Sequence, residues 1–195
     1  YRQIPHFIGG PDRKVAEYIY AAAGHPSQTS VDEVLASTQR RYEEFLQSME
    51  VGLRPGVRSA IVDFQRAGIA VTIGSLTPIK QAAVLIERTG LKELIGEANI
   101  VLAEHVKNPK PAPDVFYETA RRMGIDPKHQ LVFEDSPRGV TAALAAGSQA
   151  IGMPVVLKPF EATVLPLIKA GVYWIYRDWR ELNIAALLNN LSQNN

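Results

Sequence analysis

The chain has 195 residues, and 46% of them are hydrophobic, which suffices to bury one core domain with a small attachment. A net charge of +1 provides no broad basic surface for nucleic acid, and the lack of cysteine excludes disulfides, thiolate metal sites and a cysteine nucleophile. No apolar segment approaches the ~20 residues that span a bilayer, and no signal peptide is visible. We therefore expect a cytoplasmic protein, monomeric or homodimeric, that binds neither membranes nor nucleic acid.

Residues 1–54 carry helical patterns and no strand pattern, which predicts a small helical subdomain. Asp12 is placed to begin a first helix, and Ser30 and Glu33 have the spacing of a capping box at the start of a second one. The dipeptide Gly9-Gly10 precedes the first helix in a turn of low bulk, where a substrate is able to approach the backbone closely. An ordinary loop is the alternative interpretation of this turn.

Residues 55–195 show helical and strand patterns in alternation, after a boundary marked by proline and glycine. Strands that are separated by helices are parallel and are joined by right-handed crossovers. The pattern therefore predicts a doubly wound α/β core with a parallel sheet. The predicted strands are 69–73, 100–103, 131–133, 150–153 and 173–176.

Two adjacent acidic residues, Glu134 and Asp135, directly follow the predicted strand 131–133, and a helix begins immediately after them at Ser136. Such a transition places the strand tip at the carboxyl edge of the sheet, where open α/β folds bind their ligands. Two neighbouring carboxylates repel each other there, and a bound cation offsets that cost. Lys110 lies one strand–helix unit earlier, so a parallel neighbour brings its ammonium group to the same edge. Carboxylates, a cation site and a fixed lysine together indicate chemistry on a phosphate ester.

A second turn with the same placement runs from residue 74 to residue 78. A hydroxyl group beside the N–H groups at the start of a helix is suited to binding an anion. We predict Ser75 as the phosphate contact, with Leu76 and Thr77 beside it. The alternative is that the hydroxyl groups only cap the helix, of which Thr77 is the predicted N-cap and Pro78 the first helical residue.

Three motifs together resemble a known family. They are the strand-end Ser75, the segment Lys110-Pro111-Ala112-Pro113-Asp114, and Glu134-Asp135-Ser136 followed by Gly139, Ala143, Ala146 and Gly147. The chain resembles the haloacid dehalogenase-like hydrolase superfamily, in the branch of β-phosphoglucomutase-like and phosphoglycolate-phosphatase-like proteins that carry a helical cap. The resemblance covers essentially the whole chain. It implies a Rossmann-like core over residues 55–195 and a cap over residues 1–54.

The resemblance also implies functional roles. Family members form an aspartyl-phosphate on a nucleophilic Asp, and Mg²⁺ bridges that Asp, the phosphate and the acidic motif. Asp135 is then a magnesium ligand, and Glu134 is a second ligand or orients a bound water. Lys110 neutralises charge on the nucleophile and the transferring phosphoryl group, and Ser75 donates a hydrogen bond to a phosphoryl oxygen. The expected substrate is a small phosphorylated metabolite.

The sequence departs from the family at its first motif, a strand followed by Asp-x-Asp-Gly. Asp12 is the only aspartate before the predicted cap helices, and no apolar strand precedes it. We therefore expect the first core strand and the nucleophile to be missing from this chain, so that enzyme activity stays open. Three explanations are open: the segment was removed from this chain, the chain is a degenerate copy, or another segment or chain fills the gap. The resulting function is a Mg²⁺-dependent phosphatase; a sugar-phosphate mutase and an inactive phosphate-binding or interaction protein are the alternatives.

Overall fold

The computed structural model describes residues 12–193, in which helices alternate with short strands. Within this range no helix is both long and apolar enough to cross a membrane. The helices are α1 (Asp12–Ala22), α2 (Val31–Ser48), α3 (Val57–Arg66), α4 (Ile79–Thr89), α5 (Leu91–Ile95), α6 (Asp114–Met123), α7 (Pro137–Ala145), α8 (Phe160–Thr163), α9 (Leu165–Ala170) and α10 (Ile184–Gln193). The strands are β1 (Ile73–Gly74), β2 (Ile100–Val101), β3 (Leu131–Glu134), β4 (Gln149–Gly152) and β5 (Trp174–Ile175).

All strand pairs are parallel, which confirms the predicted α/β class. β1 pairs with β2, and β3, β4 and β5 form a second sheet in that order. Within residues 12–193 the two sheets share no strand ladder, so β1 and β3 each keep one edge without a strand partner.

The two N-terminal helices pack against each other, and α2 also contacts α4. The predicted capping box is confirmed, since the Ser30 N–H donates to the Glu33 carboxylate at 2.8 Å and the Glu33 N–H donates to the Ser30 hydroxyl at 3.3 Å. This reciprocal pair satisfies two N–H groups that a helix start leaves without intrahelical acceptors. The division into a cap over residues 1–54 and a core over residues 55–195 stays a prediction.

The first predicted strand of the core is shorter than expected. The sequence predicts a strand over residues 69–73, whereas only Ile73 and Gly74 belong to a ladder, opposite Ile100 and Val101. Residues 69–73 are rich in residues that favour strands. The neighbouring strand β2 has only two residues, however, so only two residues of this segment find a strand partner. Extended backbone becomes a strand only where a neighbour supplies hydrogen bonds.

The larger sheet carries the main apolar core. Val132 of β3, Ala150 of β4, Val140 of α7 and Leu167 of α9 are buried in one cluster, with Val115 of α6. Because these residues come from five different elements, the cluster fixes β3 and α7 relative to each other. The carboxyl end of β3 is therefore held rigidly.

The turn from β3 into α7 depends on close packing between Glu134 and Gly139. Ser136 is the N-cap of α7 and accepts a hydrogen bond from the Gly139 N–H at 3.0 Å. Gly139 is buried, and a Cβ atom added to it would overlap the Glu134 carboxylate. A glycine at this helix position thus leaves room for the buried acid.

Replacing Gly139 by Ala should destabilise the fold, although alanine is the better helix former by about 0.5–1 kcal/mol. Displacing a buried, hydrogen-bonded carboxylate should outweigh that gain and leave a net loss of about 1–3 kcal/mol in the free energy of unfolding, measured by urea titration. Gly52→Ala is the matched control, because a Cβ atom there meets nothing within 4 Å. An increase in stability on Gly139→Ala would contradict the packing described.

Candidate functional site

The Lys110 ammonium group joins the ends of two strands. Its Nζ atom donates a hydrogen bond to the carbonyl oxygen of Gly74 at 3.1 Å and another to the Glu134 carboxylate. The side chains of this ion pair are 12% and 7% exposed. The ammonium group also lies 4.8 Å from the centre of the Phe116 ring. The end of β1, the loop before α6 and the end of β3 therefore meet at one rim, as the strand-end argument predicted.

The Glu134 carboxylate is engaged on both oxygens. Oε1 accepts from Lys110, and Oε2 accepts from the Ser136 N–H at 3.3 Å and the Ser136 hydroxyl at 3.1 Å. These contacts fix the carboxylate beneath α7. Glu134 thus holds Lys110 in place, which the sequence did not predict. The predicted role of Glu134 as a metal ligand stays a prediction.

Asp135 follows at the very tip of β3 and is partly exposed. Burial raises the pKa of its carboxyl group, and the adjacent Glu134 charge raises that pKa further, whereas Lys110 and Arg54 act in the opposite direction. In residues 12–193 no three metal-ligating side chains cluster together. Mg²⁺ nevertheless needs only one or two protein carboxylates when a phosphate and waters complete its shell, so this hard oxygen donor fits it.

The Ser75 turn is closed by its own side chains. The Ser75 N–H donates to the Val101 carbonyl at 2.9 Å, which ties the turn to β2. The Ser75 hydroxyl donates to the Thr77 hydroxyl at 2.9 Å and accepts from the Thr77 N–H at 3.1 Å. Leu76 lies between these two residues, at the tip of the turn. Ser75 is adjacent in the chain to Gly74, whose carbonyl holds Lys110, so hydroxyl and ammonium groups lie at the same rim.

The start of α4 differs from the prediction. Thr77 was the predicted N-cap and Pro78 the first helical residue, but the helix begins at Ile79 with Pro78 as its N-cap. The Thr77 groups are used by Ser75, and the Ile79 N–H donates instead to both oxygens of Glu104, at 3.0 Å each. A carboxylate thus already occupies the first N–H of α4, which confines an anion site to the preceding turn.

Two arginines near these strand ends were not predicted as site residues from the sequence. Arg138, on the first turn of α7, donates to the carbonyl oxygen of Lys110 itself. Arg54 donates to the carbonyls of Met153 at 3.2 Å and Pro154 at 3.0 Å, beyond the end of β4. Proximity to the acidic motif was a usable signal for Arg138. None existed for Arg54, because its acceptors lie 99 and 100 residues away in the chain.

The predicted phosphate contacts Gly9 and Gly10 lie outside the described residues. The remaining predicted site residues fall into one group at the carboxyl ends of β1 and β3. They are Ser75, Leu76, Thr77, Lys110, Glu134 and Asp135. Their catalytic, phosphate-binding and metal-binding roles stay predictions.

The sequence of this chain also matches a known protein family. Residues 2–153 match the family model of haloacid dehalogenase-like hydrolases. The CbbY protein of Rhodobacter capsulatus is 30% identical over 187 residues, which cover 95% of this chain and 77% of that protein. The phosphorylated carbohydrates phosphatase of Thermotoga maritima is 33% identical over 131 residues, which cover 67% of this chain and 58% of that protein.

The fold is shared with solved structures. A haloacid dehalogenase-like protein from Agrobacterium tumefaciens superimposes with a TM-score of 0.78 at 22% identity, over 98% of this chain and 82% of that one. At this identity the likeness concerns the fold, whereas the family match rests on sequence. The chain belongs to the haloacid dehalogenase-like hydrolase family.

Proposed function

We propose that this chain provides the phosphoryl- and magnesium-binding part of a phosphatase site for small phosphorylated sugars. The observation that carries the proposal is the position of Lys110 Nζ, between the Gly74 carbonyl at 3.1 Å and the Glu134 carboxylate. Ser75 follows Gly74 in the chain and Asp135 follows Glu134, so the ammonium group is bonded to the direct chain neighbours of both residues. A cation and a hydroxyl donor are suited to stabilising charge on a transferring phosphoryl group, and a carboxylate is suited to holding Mg²⁺.

Lys110 and Ser75 are the proposed contacts to the phosphoryl oxygens. Lys110 is fixed by two hydrogen bonds, so its ammonium group does not have to reorganise as charge develops. The single hydroxyl proton of Ser75 is donated to Thr77, so it must rotate away from Thr77 before Ser75 can donate to a phosphoryl oxygen. Lys110 keeps donor capacity, because an ammonium group has three N–H donors and the described contacts use two. The third is directed to the phosphoryl oxygen in this proposal.

Asp135 is the proposed protein ligand of Mg²⁺. Its carboxylate is a hard oxygen donor at the partly exposed tip of β3, which suits this ion. When bound, the ion would neutralise charge on the phosphoryl group. Glu134 is proposed to act on Lys110, since both of its oxygens are engaged.

The nucleophile is the open part of the site. No Asp-x-Asp-Gly occurs in the 195 residues, so an aspartyl-phosphate requires a carboxylate from another segment or chain. The unpaired edges of β1 and β3, whose ends Lys110 joins, are the proposed position for a strand that carries it. A second candidate, a phosphate-binding protein without catalysis, is favoured by the absence of this motif.

The proposed substrate class rests on relatives. The name of the Thermotoga maritima relative describes a phosphatase of phosphorylated carbohydrates, and CbbY belongs to the same family. We propose a sugar phosphate of that kind as substrate. A cytoplasmic location follows as a proposal from the absence of cysteine and from this metabolite class.

Replacing Lys110 by Ala should weaken the binding of orthovanadate, used as a phosphate analogue, by roughly tenfold or more, because a charged hydrogen bond is lost. Isothermal titration calorimetry on the 195-residue chain measures this effect. Lys107→Ala is the matched control, since Lys107 is an exposed lysine three residues earlier in the same loop. Equal affinities for the two variants would remove Lys110 from the phosphate site.

Hydrolysis of p-nitrophenyl phosphate in the presence of Mg²⁺ separates the two candidate functions. The 195-residue chain is expected to show no turnover, because it lacks the nucleophile motif. If the coding sequence upstream of Tyr1 supplies Asp-x-Asp-Gly, the longer chain is expected to hydrolyse the substrate. Normal turnover by the 195-residue chain would overturn the assignment of a missing nucleophile, and an inert longer chain would favour the non-catalytic function.

A further inference from the structure

The C-terminal end of α2 is held by an arginine from another helix. Arg88 of α4 donates from Nη1 to the carbonyls of Leu46 at 2.7 Å and Met49 at 2.9 Å, and from Nη2 to the carbonyl of Gln47 at 2.9 Å. The last turn of α2 contains no basic residue of its own. The carbonyl groups that a helix end leaves unpaired, and the negative end of its dipole, are therefore satisfied by α4.

The second tie between these helices is weaker. Lys80, near the start of α4, lies 3.4 Å from Glu43 of α2, but the two side chains are 83% and 44% exposed. Exposed ion pairs contribute at most about 1 kcal/mol. Arg88, with three charge-assisted hydrogen bonds, is the stronger contact.

The connector after α2 is held at its two ends, by Arg88 at Met49 and by Arg54 at its far end. Arg54 binds the carbonyls of Met153 and Pro154 and so fixes the chain where α3 is about to begin. Between Met49 and Arg54, Gly52 has open space around it, since a Cβ atom there meets nothing within 4 Å. Packing around Gly52 therefore does not set the direction of α2. The contacts between α2 and α4, of which the Arg88 hydrogen bonds are the strongest polar ones, and the burial of Leu46 on α2 hold it instead.

Helix α4 also reaches the candidate site. It begins two residues after Thr77, and its last turn carries Arg88. One rigid helix of 11 residues thus has the proposed phosphate turn at one end and the end of α2 at the other.

We propose that Arg88 is a positioning residue that sets the orientation of the α1–α2 pair relative to the Ser75 turn. A planar guanidinium group bonds three carbonyls in a fixed geometry, which a lysine does not reproduce. The consequence for substrate binding rests on the proposed function, but the orientation itself does not.

The orientation is measured by the distance between two spin labels. The chain contains no cysteine, so Glu44→Cys on α2 and Lys169→Cys on α9, both exposed positions, give two unique labels. Double electron–electron resonance should give one narrow distance distribution. Arg88→Gln should broaden or shift it, and Arg88→Lys should restore it in part.

Hydrogen exchange gives a second readout. In Arg88→Gln the amides in the last turn of α2 should exchange at least about tenfold faster, the factor that corresponds to about 1.4 kcal/mol, with α7 unchanged. Arg121→Gln, at an exposed arginine of α6, is the control for loss of a surface charge. If Arg88→Gln prevents folding, the Arg88→Lys variant is used to test the proposal. Its amide exchange rates in the last turn of α2 should lie between the wild-type rates and rates tenfold faster.

Unchanged label distances and unchanged exchange in the Arg88 variants would overturn the proposal. Neither readout depends on turnover or on phosphate binding. A failure of this proposal is therefore distinguishable from a failure of the proposed function.

Discussion

The buried ion pair between Lys110 and Glu134 is the interaction on which the site depends. Both side chains are almost fully removed from water, so each charge would carry a large desolvation cost without the other. Removing one member of such a pair typically costs about 3–5 kcal/mol, because the other is left buried and unpaired. The surrounding structure is arranged around this constraint: Ser136 binds the second oxygen of Glu134, Gly139 leaves room for it, and Gly74 accepts from the ammonium group.

The same pair connects two sheets that share no strand ladder among residues 12–193. β1 ends at Gly74 and β3 ends at Glu134, and Lys110 contacts both ends. A cation at this junction is held by backbone and carboxylate together. Asp135 follows Glu134 at the strand end, where burial raises the pKa of its carboxyl group and the Glu134 charge raises it further.

The parts of the site that were predictable from sequence were those fixed by chain direction and local chemistry. A strand that runs directly into a helix predicted that Glu134 and Asp135 lie at the carboxyl edge. Lys110 reaches Glu134 as expected, but through its side chain, because β2 and β3 share no ladder among residues 12–193. The Ser30–Glu33 capping box is equally local and was confirmed.

Contacts between residues far apart in the chain leave no pattern in the sequence. Arg54 bonds Met153 across 99 residues. The Ile79 N–H at the start of α4 is satisfied by Glu104 rather than by Thr77. The strand predicted over residues 69–73 shortened because its neighbour supplies only two partners, which depends on the sheet rather than on the segment.

A crystal structure of the chain grown with magnesium and orthovanadate would locate both bound groups. One oxyanion should be bound jointly by the Ser75 hydroxyl and the Lys110 ammonium group, with the metal ion on the Asp135 carboxylate and Glu134 still bound to Lys110. Ser75 and Lys110 found on different sides of the molecule, or an oxyanion that touches neither of them, would contradict this arrangement.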